Sequence, residues 1–304
     1  MSAVLETKQS YSDEIRELGL EPYVMELEVE GLTVVPPEVH GVSMDRIDEL
    51  QQRILAEARN MTGVDFDLDK GPLSELEFPP ASQGLAALSG AEDDHQPTQF
   101  LIQQLGHVDR MFRDLAVNPV ALALIRYMIG KETARFSSFN SFVKWQGDFG
   151  YGPMLGLHCD QGGVPLPWGR TALTANTNWM LTDYTKEGGA LAYVPGSHRN
   201  VSHPMQPMAS KNAVAVEGKK GSVAVFHGAT WHGAFPKQTP GMRLSIANYY
   251  RHMMVTSQED IKGSFPRELA DDCDRPDEFK TLCGFDDRFP YKSQTQPVPM
   301  KKDG

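Results

Sequence analysis

Apolar residues recur at three- and four-residue intervals in the first part of the chain and at short, turn-bounded intervals in the second. Ile47, Leu50, Ile54 and Leu55 keep helical spacing behind Ser43, so a helix capped by that serine is predicted. Tyr11 to Leu18 reads as an earlier helix, and Leu32 to Val35 as a strand stopped by Pro36 and Pro37. A helix is expected around Gly106–Leu115. Another is expected over Pro119–Ile129, with Asn118 at its N-cap, proline in its first turn and Gly130 at its end. Residues 61–97 carry no period and are rich in Asp, Gly and Pro, as in a long surface excursion.

Beyond Gly130 the pattern changes to extended runs separated by Gly and Pro: Phe136–Trp145, Met154–His158, Thr177–Asp183, Ala190–Val194, Val214–Val216, Ser222–Phe226 and Arg243–Tyr250. Such a series predicts a mainly β core, a sandwich or a barrel, with flanking helices. A charged, irregular tail is expected from about Ser257. The expectation is a single domain over 1–304, with a helical part to about residue 130, a β core over about 131–255 and the tail.

Composition narrows the function. The chain has 304 residues, 40% of them hydrophobic and 23% charged, which suffices for a core and excludes general disorder. Its net charge of −11 disfavours phosphate backbones and anionic membranes as partners. Three cysteines, Cys159, Cys273 and Cys283, make neither a disulfide framework nor a CxxC metal knuckle. No apolar leader or run of about 20 apolar residues is present, so a cytoplasmic protein is expected, without membrane or nucleic-acid attachment. GxSxG, GxxxxGK[ST] and strand-following GxGxxG motifs are absent, which removes the common serine-hydrolase, triphosphate and dinucleotide readings.

What remains is metal chemistry. In Leu157-His158-Cys159-Asp160 an imidazole and a carboxylate stand two positions apart, so extended backbone projects both to one side and Cys159 to the other. Downstream, Gly221 to Phe226 leads into His227-Gly228-Ala229-Thr230-Trp231-His232-Gly233, and Arg243 follows His232 by eleven residues. Two histidines and one carboxylate form the facial donor set of non-haem Fe(II) oxygenases, which leaves positions open for a chelating 2-oxo acid and O2. A buried guanidinium then suits the far carboxylate of that acid. His227 competes with His232 as the distal imidazole.

These motifs, together with Gly189-Ala190-Leu191-Ala192-Tyr193-Val194-Pro195-Gly196-Ser197-His198, resemble the phytanoyl-CoA dioxygenase family of Fe(II)/2-oxoglutarate oxygenases over about residues 98–252. The resemblance implies a double-stranded β-helix (a jelly roll, cupin-like). It implies His158, Asp160 and His232 as iron ligands, since the family spacing favours His232 over His227, and Arg243 as the anchor of 2-oxoglutarate. Trp179 and Asn140 are the further co-substrate contacts it suggests. Ala234 departs from the serine that relatives often carry, and Ser245, on the strand face of Arg243, is the candidate to replace that hydroxyl. Asp160 itself argues against halogenation, because related halogenating enzymes carry a small residue there.

The implied activity is oxidation, above all hydroxylation, of an aliphatic C–H in a small molecule such as a secondary metabolite or lipid-like acid, with release of succinate and CO2. The rival readings are a zinc-type hydrolase and a silent jelly-roll binding protein. Pro195 to Arg199 reads as a tight turn. The loop Gln161–Arg170 reads either as plain surface or as a lid in which Trp168 and Arg170 touch substrate.

Overall fold

The computed structural model describes residues 11–77, 98–147, 154–169, 171–205 and 207–289. The described residues begin with helices α1 (Tyr11–Glu17) and α2 (Glu21–Glu30), strand β1 (Leu32–Val35), and helices α3 (Pro37–His40) and α4 (Met44–Thr62). Ser43 caps α4 as expected, its Oγ accepting from Arg46 N–H at 3.2 Å. The α4 stripe of Ile47, Leu50, Ile54 and Ala58 is buried, and each large aliphatic side chain there contributes about 1.5–3 kcal/mol.

A small hairpin, β2 (Phe66–Asp67) and β3 (Gly71–Pro72), lies inside the expected excursion. Most of the remainder of that excursion falls outside the described residues. Strand β4 (Gln99–Ile102) precedes α5 (Leu105–Val108), α6 (Arg110–Ala116) and α7 (Pro119–Ile129). The single helix expected at Gly106–Leu115 is thus two. Asp109 is extended (φ −152°) and caps the second of them through Met111 N–H. In contrast, α7 begins and ends where Asn118 and Gly130 placed it, and nearly all its side chains are buried.

The β core follows: β5 (Ala134–Gly147), β6 (Thr174–Met180), β7 (Leu191–Tyr193), β8 (Val214–Ala215), β9 (Val223–His227), β10 (His232–Ala234) and β11 (Lys237–His252). One sheet has the order β1-β9-β6-β11-β5-β4, and a second has β10-β7-β8. Every pairing among these strands is antiparallel. The architecture is the jelly roll with flanking helices that the resemblance implied.

Register decides which residues meet. Direct partners across antiparallel strands share a face. Lys144, Phe142 and Asn140 of β5 stand opposite Arg243, Ser245 and Ala247 of β11. Ser245, Ala247 and Tyr249 stand opposite Met180, Asn178 and Asn176 of β6. This face looks toward the small sheet, where Met180, Ala224, Phe226, Leu32 and Tyr184 pack with Leu191 and Tyr193. The alternate residues, among them Leu244, Ile246, Tyr250, Trp179, Val223 and Val225, join one apolar cluster with the helices.

Two more expectations change. Met154–His158 is not a strand: Leu155 (φ 56°) and Gly156 (φ 58°) turn the chain, and only His158 makes an isolated bridge. Among the described residues of the tail from Ser257 there are three short helices, Ile261–Ser264, Arg267–Asp271 and Pro276–Cys283, and Phe279 of the last is fully buried. No helix among the described residues is long and apolar enough to cross a membrane.

Candidate metal centre

His158 and His232 exchange both backbone hydrogen bonds, His158 N–H to His232 O at 2.9 Å and His232 N–H to His158 O at 2.8 Å. That bridge brings two imidazoles from distant parts of the chain to a ring separation of 4.4 Å. The Nδ1 of His158 lies 2.9 Å from Gly156 O, and the Nδ1 of His232 lies 3.0 Å from Thr230 O. A carbonyl can only accept, so each Nδ1 carries a proton, and Nε2 is the nitrogen whose lone pair is available to a metal once its own proton is lost. Both Nε2 atoms lie 3.5 Å from the Asp160 carboxylate, one facing each oxygen.

Asp160 is placed from the large sheet. Asn176 Nδ2 donates to its Oδ2 at 2.5 Å, and Tyr249 Oη donates to its backbone carbonyl at 3.1 Å. Asn176 and Tyr249 are cross-strand partners on the inward face, so the register of β6 against β11 aims them together. Cys159 is extended, and its Sγ turns away toward His203, 3.9 Å from that residue's Nδ1. One ligand atom from each of His158, Asp160 and His232 lies within 4.8 Å of the others.

The charges suit a cation. Burial alone would raise the Asp160 pKa, but His232, His158 and Asn176 outweigh it and hold the carboxyl at about 2. The protein packed around its ring also pulls His158 down, although part of the side chain reaches solvent, yet its hydrogen bond and attraction to Asp160 leave it above its usual value. Burial dominates at His232, whose pKa falls. In their neutral form the two imidazoles, with one carboxylate oxygen and each held by a neighbouring hydrogen bond, are a donor set for a first-row divalent metal. His158 is exposed while His232 is buried, so one side of the group opens to solvent.

Arg243 lies on the same inward face, six residues before Tyr249, and is 4% exposed. Its Nε donates to Gly189 O at 3.1 Å, and its Nη1 donates to Tyr184 Oη and Ser245 Oγ, each at 3.2 Å. Tyr184 in turn donates to Asn178 Oδ1 at 2.9 Å, and its ring lies 5.3 Å from the guanidinium carbon. Ser245 is therefore beside the guanidinium, as its strand position suggested. Asn140 also faces inward, one rung from Tyr249, with Nδ2 donating to Ser138 Oγ at 3.0 Å.

Trp179 is not brought to this site. It stands between Ile246 and Val223 on the helix-facing side of the sheet and meets the His40 ring edge-on at 4.9 Å. Asn176, three residues earlier on the same strand, is the residue that reaches Asp160. His227 likewise stays out of the cluster. Its ring packs 5.5 Å from that of His198, and its Nδ1 accepts from Ala229 N–H at 3.0 Å. Trp168 is buried against His203 rather than offered to a substrate. Arg170 lies outside the described residues. Asn176, Tyr249 and Tyr184 are not singled out by the sequence; parity along β11 puts Tyr249 on the face of Arg243, but Asn176 follows only from the register of β6 against β11.

Comparison with known proteins gives the same direction. A sequence model of the phytanoyl-CoA dioxygenase family matches residues 28–245. A protein named dioxygenase af480, from Aspergillus fumigatus, is 29% identical over 181 residues, which is 59% of this chain and 57% of that one. A Mycobacterium tuberculosis protein is 30% identical over 98 residues, 32% of this chain and 34% of its own length. The chain thus matches about half or less of the length of these relatives. Among solved structures, the non-haem α-ketoglutarate-dependent epimerase SnoN of nogalamycin biosynthesis is 19% identical, with a TM-score of 0.53 over 78% of this chain and 84% of that one. HygX from Streptomyces hygroscopicus, solved with nickel and 2-oxoglutarate bound, is 15% identical, with a TM-score of 0.53 over 78% of this chain and 88% of that one. These two likenesses are of fold.

Proposed function

The chain belongs to the phytanoyl-CoA dioxygenase family, and on that premise we propose that it is an Fe(II)- and 2-oxoglutarate-dependent dioxygenase acting on an aliphatic C–H of a small organic molecule. The observation that carries the reading is the convergence of His158, Asp160 and His232, with both Nδ1 atoms tied to carbonyls and both Nε2 atoms turned to the carboxylate. With ferrous iron, 2-oxoglutarate and O2 bound, the chemistry supplied is oxidative decarboxylation of the oxo acid to succinate and CO2, coupled to oxidation of the C–H bond.

The chain's own residues hold and orient. His158, Asp160 and His232 are the metal ligands of this reading. Asn176 and Tyr249 fix the Asp160 carboxylate and its backbone. Arg243, steadied by Tyr184 and Ser245, takes the far carboxylate of the oxo acid in a region walled from water. Asn140 faces the space between Asp160 and Arg243, where it can touch either small molecule. Trp179 is a core residue here. The helices and the large sheet form one unit in this reading, supported by a single apolar cluster that joins α1 and α4 to the strands of that sheet and to the last helix.

A zinc hydrolase has no use for a buried guanidinium, and a silent binder has no need of three intact ligands. The substrate class we favour is a free metabolite or lipid-like acid over a CoA ester, because the chain carries a net charge of −11. The test is succinate formation from 2-oxoglutarate with a panel of free acids, secondary metabolites and acyl-CoA thioesters. Iron-dependent succinate release, stimulated by a free acid or metabolite and lost in His232→Ala, is expected. No consumption of 2-oxoglutarate with any substrate, or zinc-supported hydrolysis, would contradict the reading.

A further inference from the structure

Lys144 is a fully buried lysine that the account above leaves without a task. It is the direct cross-strand partner of Arg243, so both side chains leave the sheet on the inward face. Its amine crosses to the carbonyl of Phe235, in the link between β10 and β11. Three cationic side chains meet at Gly189. A Cβ added there would lie 3.2 Å from Lys144 Cε and 2.8 Å from Lys237 Cβ, and the carbonyl of Gly189 accepts from Arg243 Nε. Gly189 has φ +78°, so both its backbone conformation and the closeness of these stems call for glycine.

We propose that Lys144 is a second cation for the distal carboxylate of the oxo-acid co-substrate, and that it takes up one proton from solvent as that carboxylate docks against Arg243. The proposal rests on the dioxygenase reading and deepens it. Its physical basis is like-charge crowding in a dry place. Among the described residues, Arg243 and Lys237 of β11 act on the Lys144 charge, and Lys186 has its own amine 5.2 Å from the Phe235 ring centre. Burial first, then Arg243 and Lys237, push the Lys144 amine down to about 6, so it is neutral above that pH. An incoming carboxylate reverses the local field. The amine then binds a proton delivered by buffer, and an ammonium–carboxylate contact forms beside the guanidinium–carboxylate contact. No other bond is made or broken.

Two consequences follow from proton linkage. Affinity for 2-oxoglutarate falls as pH rises above the value for the free amine, by up to tenfold per pH unit while one full proton is taken up. A 2-oxo acid without a distal carboxylate, such as 2-oxobutyrate, takes up no proton. The experiment is anaerobic calorimetry on the Fe(II)-loaded protein at pH 7 and 8, in buffers of different ionisation enthalpy. Wild type is expected to take up close to one proton per 2-oxoglutarate and to bind it up to tenfold more weakly at pH 8. Lys144→Met is expected to bind at least tenfold more weakly at pH 7, with neither proton uptake nor the pH slope. Binding by wild type without proton uptake, or equal uptake with 2-oxobutyrate, overturns the proposal and leaves the dioxygenase reading intact. Should Lys144→Met not fold, the wild-type proton count alone decides. No binding of 2-oxoglutarate by wild type would overturn both.

Discussion

Asn176 gives the sharpest test of how the metal centre is held. Its amide donates to Asp160 Oδ2 at 2.5 Å, inside a group where Asp160 must stay ionised and correctly turned. Asn176→Ala removes that donor and leaves the three candidate ligands in place. A hydrogen bond to a charged group contributes about 1.5–3 kcal/mol. At about 1.4 kcal/mol per factor of ten, this corresponds to a loss of roughly 10- to 100-fold in metal affinity. The assay is an anaerobic Fe(II) titration against a chromophoric chelator. Trp179→Phe is the paired control, because it alters the same strand on the opposite face. Affinity of Asn176→Ala within twofold of wild type, or an equal loss in Trp179→Phe, would refute the reasoning.

Three further outcomes are expected. Trp179→Ala should cost about 3–5 kcal/mol of stability in urea unfolding, as for a buried aromatic, while the folded protein keeps its Fe(II) affinity within about threefold; weaker metal binding at unchanged stability would contradict this placement. Tyr184→Phe should remove the hydroxyl that steadies Arg243 and raise KM for 2-oxoglutarate, by an amount matching about 0.5–1.5 kcal/mol, with little change in kcat; an unchanged KM would remove Tyr184 from the anchor. Outside the metal centre, burial depresses His40, His107, His198 and His252 below 6.5. A base depressed by folding binds protons more readily when unfolded. The stability it contributes is therefore whole above pH 6.5 and is lost as pH falls through the folded values. Metal-free protein should accordingly unfold at lower urea at pH 5.5 than at pH 7.5, and a midpoint that is flat or rises toward acid would contradict the assignment.

Local signals carried the elements that the sequence predicts well. Asn118-Pro119 and Gly130 delimit α7 by capping chemistry that needs no tertiary partner, and Ser43 does the same for α4. His158-Cys159-Asp160 is legible because two candidate ligands and their alternation lie in three residues. What failed depended on register or on single dihedral angles. Trp179 looks suited to the site, but its face is set by Ser245 pairing with Met180 and Ile246 with Trp179. The apolar stretch from Met154 reads as a strand, yet Leu155 and Gly156 take left-handed angles that curl it beneath β10. The described part of the tail has helices of four, five and eight residues, too short to show a period, and its local signs are single capping residues, Asp260 before the first and Pro276 and Gly284 at the ends of the last.

The central claim is that two imidazoles and Asp160 hold a ferrous ion to which 2-oxoglutarate chelates. Adding Fe(II) and then 2-oxoglutarate to the protein without oxygen tests it most directly, by the visible charge-transfer absorption of that chelate. The account predicts a band in wild type that is absent from Asp160→Ala and His232→Ala and retained in Trp179→Phe. A wild type without the band, or a band that survives loss of Asp160 or His232, would contradict it.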